Sequence, residues 1–184
     1  MNNKVNLILD TDIGTDIDDA VCLAYLLSQT EVNLLGITTV TGEAKKRAAL
    51  ASVLCKIAKK QIPILPGAEK PILIEQKQKK AQQAAALKKW EHQKNFKQNQ
   101  AIDFLRATIR QNPHKITLLT IGPLTNIGIL FTLDPEIPSL LKRMVMMCGV
   151  FSREVARKRS VEWNASCDPH AAAIVFNAPV KNLV

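Results

Sequence analysis

The chain has 184 residues, of which 47% are hydrophobic and 22% are charged, and its formal net charge is +9. This composition is close to the globular average and argues against wholesale disorder, and the length suits one domain of ordinary size. No apolar run approaches the roughly 20 residues that span a bilayer, and the four cysteines stand singly without metal-binding spacing. Membrane-spanning and disulfide-rich classes are therefore excluded, and a cytoplasmic location is expected.

The predicted elements alternate along the chain between short apolar runs and helical patterns. Predicted strands cover residues 5–9, 34–40, 62–65, 116–121, 144–147 and 180–184. Predicted helices cover residues 18–29, 43–60, 101–110, a stretch from about 125, and 168–177 with Asp168 as N-cap. The apolar spacing of the first helix places Ala20, Val21, Ala24 and Leu27 on its inner face. This order predicts an α/β fold with an open, mainly parallel, Rossmann-like sheet and helices on both faces.

Most of the positive charge lies in one Lys/Gln/Ala-rich stretch. Residues 76–97 hold seven lysines and one glutamate, so they contribute +6 and leave +3 for the rest of the chain. We expect a basic insertion over residues 75–100, either a solvated helix or a mobile loop, within a single domain of residues 1–184. Helical spacing would bring Ala86, Leu87 and Trp90 to one side, where they would dock on the domain.

Five aspartates follow the first predicted strand within ten residues: Asp10, Asp12, Asp16, Asp18 and Asp19. Helix capping and the helix dipole account for two or three of them, and the others repel each other unless a positive charge lies among them. Ligation by oxygen alone suits Ca²⁺ or Mg²⁺. The cluster therefore predicts a hard-cation site at the carboxyl edge of the sheet, where open α/β sheets bind ligands. An EF-hand loop is excluded, because the twelfth residue from Asp10 is Val21 and not glutamate.

The sequence D-T-D-I-G-T-D-I-D-D-A after the first strand resembles the amino-terminal signature of the inosine-uridine preferring nucleoside hydrolases. Further matches to the family follow in order at residues 37–42 (I-T-T-V-T-G), 66–71, 121–127 (I-G-P-L-T-N-I), 147–151 and 162–169. Six ordered matches are far more specific than one, and only the basic segment lies outside the pattern. The resemblance implies hydrolysis of the N-glycosidic bond of ribonucleosides to ribose and free base.

The resemblance also implies a role for each matched residue. Ca²⁺ would be bound by Asp12, Asp19 and the backbone carbonyl of Ile121, and Asp12 would act as general base toward a Ca²⁺-held water. The substrate contacts would come from Asp18, Glu43, Glu162 and Asn164. Asp10 would orient the metal ligands and Asp16 would support them, with the alternative that Asp16 takes the ribose contact given to Asp18.

Two departures from the family pattern affect these expectations. Glu43 stands where many members carry an asparagine that reaches the ribose, and a glutamate can accept hydrogen bonds but not donate them. In the family, a further metal-binding aspartate and a leaving-group histidine come from a carboxyl-terminal region that this chain does not contain. We therefore expect a fragment that hydrolyses nucleosides poorly, with His92, His114 and His170 uninvolved. A homo-oligomer is open for the complete form.

Two other interpretations remain open. In a haloacid dehalogenase-like Mg²⁺ phosphatase, Asp10 would attack phosphorus and Asp12 would shuttle the proton. The residue Ile13 before Gly14 and the Asp18-Asp19 pair argue against it. Alternatively, the chain is a catalytically dead fragment that binds a protein partner or nucleic acid through residues 76–97. Nucleic acid is the less favoured partner, because the basicity is confined to that stretch.

Overall fold

Within residues 4–152 and 161–184, which the computed structural model describes, five strands form one parallel sheet. The strands are β1 (Val5–Thr11), β2 (Val32–Thr39), β3 (Ile64–Pro66), β4 (Ile116–Thr120) and β5 (Arg143–Met146), arranged in the order β3-β2-β1-β4-β5. Every pair of neighbours is parallel. The predicted fold class is confirmed, and each predicted strand up to β5 is found within about two residues of its expected bounds.

Helices cover both faces of this sheet. They are α1 (Asp18–Ser28), α2 (Ala44–Ile57), α3 (Ala101–Gln111), α4 (Thr125–Leu133), α5 (Ile137–Leu140), α6 (Trp163–Cys167) and α7 (Pro169–Phe176). Side chains of a strand alternate between faces. Ile8 therefore packs among α3, α4 and α7, whereas its neighbour Leu9 packs among α1 and α2. The central strand is buried on both sides, which explains its continuous apolar sequence.

The inner face of α1 differs from the prediction. Its buried residues are Asp19, Leu23, Leu26 and Leu27, whereas Val21 is 58% exposed and Ala24 is exposed. The buried stripe follows helical spacing and begins at Asp19, which a count of apolar residues alone leaves out. The helix is thus turned so that one carboxylate of the acidic cluster lies inside the protein.

The end of the chain and two short helices also differ from the prediction. Residues 182–184 form backbone hydrogen bonds with the outer edge of β5. Only one residue pair, Leu183 and Met144, forms a β-bridge, so the strand expected over 180–184 is reduced to this bridge. The helices α5 and α6 were not expected, because each spans barely more than one turn and has no usable periodicity. Asp168 caps α7 as predicted, accepting a hydrogen bond from the Ala171 N–H.

The Lys/Gln/Ala-rich segment is largely irregular, with one 3₁₀ helix at Gln82–Lys88. Of the two forms expected for this segment, a solvated helix or a loop, the structure has mainly the loop. Ala86, Leu87 and Trp90 line one apolar cavity together with residues of α2, so these side chains face the domain, although Trp90 is 52% exposed. Among the described residues, no helix has the length and apolar character to cross a membrane.

The side chain of Asn126, at the start of α4, connects the carboxyl ends of three strands. Its amide donates to the Asp10 carboxylate at the end of β1 (2.8 Å) and to the Thr39 carbonyl at the end of β2 (3.2 Å). Its carbonyl accepts the N–H of Ala68, just after β3 (2.9 Å). Asn126 is fully buried, so its side chain makes these contacts inside the protein and not with water.

We expect Asn126→Ala to lower the free energy of unfolding by about 2–4 kcal/mol, because three hydrogen bonds that join the ends of three strands are lost at once. Asn177→Ala is the matched control, since the Asn177 amide makes only an exposed contact to Ala173 and its loss should cost at most about 0.5 kcal/mol. Denaturant unfolding of both variants checks the expectation. Equal stability of the two would show that the sheet edge does not need this side chain.

Candidate active site

A polar cavity of about 420 Å³ opens at the carboxyl edge of the sheet. Six residues predicted for the site line it together: Asp12, Asp16, Asp18, Asp19, Glu162 and Asn164. The first four come from the loop after β1 and the start of α1, and the last two from the start of α6. Segments some 150 residues apart in sequence thus form one pocket, at the edge where parallel sheets bind ligands.

Asp12 and Asp19 are the two buried carboxylates of this cavity, and each is only 6% exposed. Burial raises the pKa of both, and the negative charge of Asp12 helps to raise that of Asp19 to about 7. The Thr11 hydroxyl donates a hydrogen bond to Asp19 and opposes this effect. The two carboxyl groups therefore resist being charged together.

Asp10 lies behind the cavity rather than in its wall. It is fully buried, and its Oδ1 accepts hydrogen bonds from Thr38 and Asn126. Its Oδ2 has no hydrogen-bond partner among the described residues, and burial raises the pKa of this carboxyl to about 7. In contrast, Asp16 and Asp18 are exposed at the mouth of the cavity.

Glu162 and Asn164 are held firmly by backbone groups. The Glu162 carboxylate caps α6 and accepts the N–H groups of Asn164 (2.8 Å) and Ala165 (2.9 Å). The Asn164 amide donates to the carbonyls of Ile121 (3.0 Å) and Met147 (2.9 Å). The Ile121 carbonyl expected to bind metal is thus in contact with a predicted substrate residue.

Glu43 does not line the cavity. It begins α2 with a left-handed backbone (φ 62°), and its carboxylate binds Lys46 (2.5 Å) and the N–H of Ala81 (2.9 Å). Both carboxylate oxygens are thereby engaged away from the pocket. The three histidines are also absent from the lining formed by the described residues.

Gln78 is a cavity residue that the sequence analysis missed. It comes from the Lys/Gln/Ala-rich segment, is 5% exposed, and donates hydrogen bonds to Asp12 Oδ2 and to Thr15 Oγ1 (2.7 Å). The only signal for it in the sequence is an uncharged residue between two lysines, Lys77 and Lys79. Lysines 77, 79 and 80 are exposed, whereas Gln78 and Ala81 are buried.

The second missed residue is Arg47 of α2, which is fully buried directly behind the acidic loop. Its guanidinium donates to the backbone carbonyls of Asp12, Gly42 (2.8 Å) and Lys80 (3.2 Å), and to Thr15 Oγ1 (3.0 Å). Its positive charge lowers the pKa of Asp12, although burial outweighs this effect. Arg47 is thus the internal counter-charge of the loop.

The donor set of the cavity fits a hard cation in chemistry, though not in number. Asp12 and Asp19 offer carboxylate oxygens, and burial makes their negative charges unfavourable unless a cation compensates them. Within the described ranges, no three His, Cys, Asp or Glu side chains gather into a metal-binding group. The two carboxylates would therefore hold an ion only with help from backbone, water or substrate oxygens.

Comparison with known proteins gives a consistent picture. The family model for "Inosine-uridine preferring nucleoside hydrolase" matches residues 7–184. The chain is 31% identical to the non-specific ribonucleoside hydrolase RihC of Escherichia coli, over 97% of this chain and 60% of that protein. It is 32% identical to an uncharacterised protein of Schizosaccharomyces pombe, over 96% of this chain and 59% of that one. The chain thus spans about 60% of the length of these relatives.

Solved structures show the same fold. A plant nucleoside hydrolase, PpNRh1, superimposes with a TM-score of 0.82 at 24% identity, covering 97% of this chain and 59% of that one. An inosine-uridine preferring nucleoside hydrolase from Bacillus anthracis gives a TM-score of 0.77 at 23% identity, covering 97% of this chain and 64% of that one. At these identities the likeness concerns the fold alone.

We expect Arg47→Met to lower the free energy of unfolding by about 3–5 kcal/mol, because the buried carbonyls of Asp12 and Gly42 lose their donor and the buried carboxylates lose a nearby positive charge. Arg47→Lys should recover only part of this loss, since an ammonium cannot reproduce the planar fork of donors. Lys45→Met, on the exposed face of the same helix, is the control and should change stability by at most about 0.5 kcal/mol. A fully stable Arg47→Lys variant would contradict the role given to the guanidinium.

The raised pKa values of Asp10 and Asp19 also predict how stability depends on pH. Both groups keep a proton in the folded protein up to about pH 7 that they release near pH 4 when unfolded. Their contribution to stability therefore falls as pH rises through this window. A bound divalent cation favours the charged carboxylates, so Ca²⁺ should raise the melting temperature more at about pH 7.5 than at about pH 5. An equal shift at both pH values, measured by calorimetry, would contradict binding at this cluster.

Proposed function

The chain belongs to the inosine-uridine preferring nucleoside hydrolase family, and on that premise we propose that its acidic cavity hydrolyses the N-glycosidic bond of ribonucleosides to ribose and free base. One observation carries the proposal: Asp12 and Asp19, both buried, share a single polar cavity with Glu162 and Asn164. The transition state of such a reaction resembles an oxocarbenium ion, which carboxylates beside the ribose stabilise. Because the chain spans about 60% of its relatives, the substrates of the whole protein are part of this proposal.

Asp12 is the general base in this proposal. Burial raises the pKa of its carboxyl, which brings its proton affinity closer to that of a base that works near neutral pH. Gln78 holds its Oδ2, and no other described side chain donates to Oδ1, so Oδ1 is the oxygen that would take a proton from water. The carboxylate lies on the cavity wall, where an attacking water would have access to it.

Asp12, Asp19 and the Ile121 carbonyl are the groups that would hold a divalent ion, which we propose to be Ca²⁺. When bound, such an ion would lower the pKa of the attacking water and orient the ribose hydroxyls. Nucleoside hydrolases are generally metal-dependent, and the oxygen-only donors of the cavity support a hard cation here. Asp10 would keep its place behind these ligands, where Asn126 and Thr38 fix it.

The remaining cavity residues would bind the ribose. Both amide hydrogens of Asn164 are already donated to backbone carbonyls, so its Oδ1 is the atom left to accept a hydroxyl proton. Glu162 is fixed by two backbone N–H groups and presents its remaining lone pairs. Asp18 would contact the ribose, with Asp16 as the exposed alternative. The contact predicted for Glu43 finds no support, because its carboxylate is bound elsewhere.

The proposal includes a single nucleoside hydrolase-like domain over residues 1–184, incomplete relative to its relatives, with residues 75–100 as an insertion that contributes Gln78 to the cavity. The phosphatase alternative finds no support, since its nucleophile Asp10 is fully buried and lies outside the cavity wall. Binding of a partner or nucleic acid through residues 76–97 stays the alternative to this proposal. A cytoplasmic location and a homo-oligomeric complete form belong to the proposal as well.

In a form extended to the full length of its relatives, we expect release of base from inosine and uridine to exceed release from their 2′-deoxy counterparts, because the ion and Asp18 would hold the ribose hydroxyls. Asp12→Asn should lower kcat roughly a hundredfold to ten-thousandfold while the fold is kept, since it removes the base. Asp103→Asn, an exposed aspartate of α3, is the control. The measurement is base release with Ca²⁺ present. Equal rates on deoxynucleosides, or full activity of Asp12→Asn, would refute the assignment.

A further inference from the structure

The Gln78 side chain connects the general base to the aromatic residue at the mouth of the cavity. Its two amide hydrogens go to Asp12 Oδ2 and Thr15 Oγ1, and its carbonyl oxygen accepts the indole N–H of Trp163 at 2.7 Å. An amide has two donor hydrogens and one carbonyl acceptor, so every polar atom of this side chain is engaged. Three segments distant in sequence therefore meet at one amide group.

The backbone around Gln78 is fixed to the domain. Its own N–H binds the Gln76 side chain (2.8 Å), and the Lys80 carbonyl accepts from Arg47 (3.2 Å). The close approach requires Gly42, since a Cβ there would lie 2.5 Å from the carbonyl oxygens of Gln78 and Lys79. The position of the amide is thus set by the fold and not by the side chain alone.

We propose that Gln78 is a positioning residue that holds the Asp12 carboxylate and the Trp163 indole in one fixed arrangement. The inference rests on the proposed function, because it assigns a role toward the ion and base of that site. It makes the Lys/Gln/Ala-rich segment, which lies outside the family pattern, a part of the catalytic cavity.

The chemistry of an amide suits this role better than that of the lysines beside it. A neutral N–H donor orients Asp12 Oδ2 and leaves Oδ1 for an ion or a water, without cancelling the negative charge. A lysine at the same place would form an ion pair and compete with the cation. Lysines 77 and 79 flank Gln78 in sequence, but both are exposed. Hydrogen bonds to a ligating carboxylate typically change metal affinity ten- to hundredfold.

The test is a double-mutant cycle on Ca²⁺ affinity, measured by titration calorimetry. Gln78→Met removes all three hydrogen bonds of the side chain at similar volume. Trp163→Phe removes only the hydrogen bond from the Trp163 indole N–H to the Gln78 carbonyl oxygen. We expect Gln78→Met to weaken Ca²⁺ binding by roughly ten- to hundredfold and Trp163→Phe to weaken it less. The double variant should equal Gln78→Met, because Trp163 acts on Asp12 only through Gln78. Gln82→Met, an exposed glutamine of the same segment, is the control.

The outcomes separate this proposal from the proposed function. Unchanged Ca²⁺ affinity in Gln78→Met, or effects of the two variants that simply add, would overturn the positioning role. If the parent protein binds no Ca²⁺, the metal part of the proposed function fails. The hydrogen bond between Gln78 and Asp12 is then tested by denaturant unfolding of Asp12→Ala, Gln78→Met and their double variant. Non-additive losses of stability would support the contact between the two side chains, and additive losses would overturn it.

Discussion

The hydrogen bonds that the buried guanidinium of Arg47 donates to backbone carbonyls are the interaction on which the arrangement of the site depends. A charged group without access to water needs an acceptor for nearly every donor, and here the acceptors are backbone carbonyls of the acidic loop, of Gly42 and of Lys80. Because these carbonyls turn toward Arg47, the aspartate side chains of the same loop can turn toward the cavity. One cation thereby fixes three segments and places negative charge on the opposite side.

The acidic cavity combines two opposing requirements. Buried carboxylates such as Asp12 and Asp19 are unfavourable when charged, which is why their pKa values are raised. In the proposed reaction, the same burial would favour binding of a cation and proton transfer to Asp12. Neutral donors surround them: Thr11 binds Asp19, and Gln78 binds Asp12. The carboxylates are oriented but not neutralised, which leaves their charge available to a ligand.

The fold and the acidic wall of the site follow from local sequence patterns, whereas the residues that organise this wall do not. Apolar runs and helical spacing predict the sheet, and the D-T-D-I-G signature predicts where the aspartates gather. Arg47 and Gln78 belong to stretches whose composition suggests solvent exposure. Arg47 does follow the buried spacing of Ala44, Ala48 and Ala51, but a charge within such a stripe is recognisable only when its acceptors, far away in sequence, are known.

The placement of β1 at the centre of the sheet also has a kinetic consequence. In the sheet, Asn6 of β1 pairs with Asn33 of β2 on one side and with Ile116 of β4 on the other. The second pairing closes a loop of about a hundred residues, which is slow because the chain entropy is lost before any contact is gained. Until β4 is in place, one edge of β1 stays unpaired, and Ile8 lacks most of the residues of its core cluster, which come from α3 onward. During synthesis from the amino terminus, β1 therefore keeps one unpaired edge until β4 has been made, and an unpaired strand edge can pair with other chains in this interval.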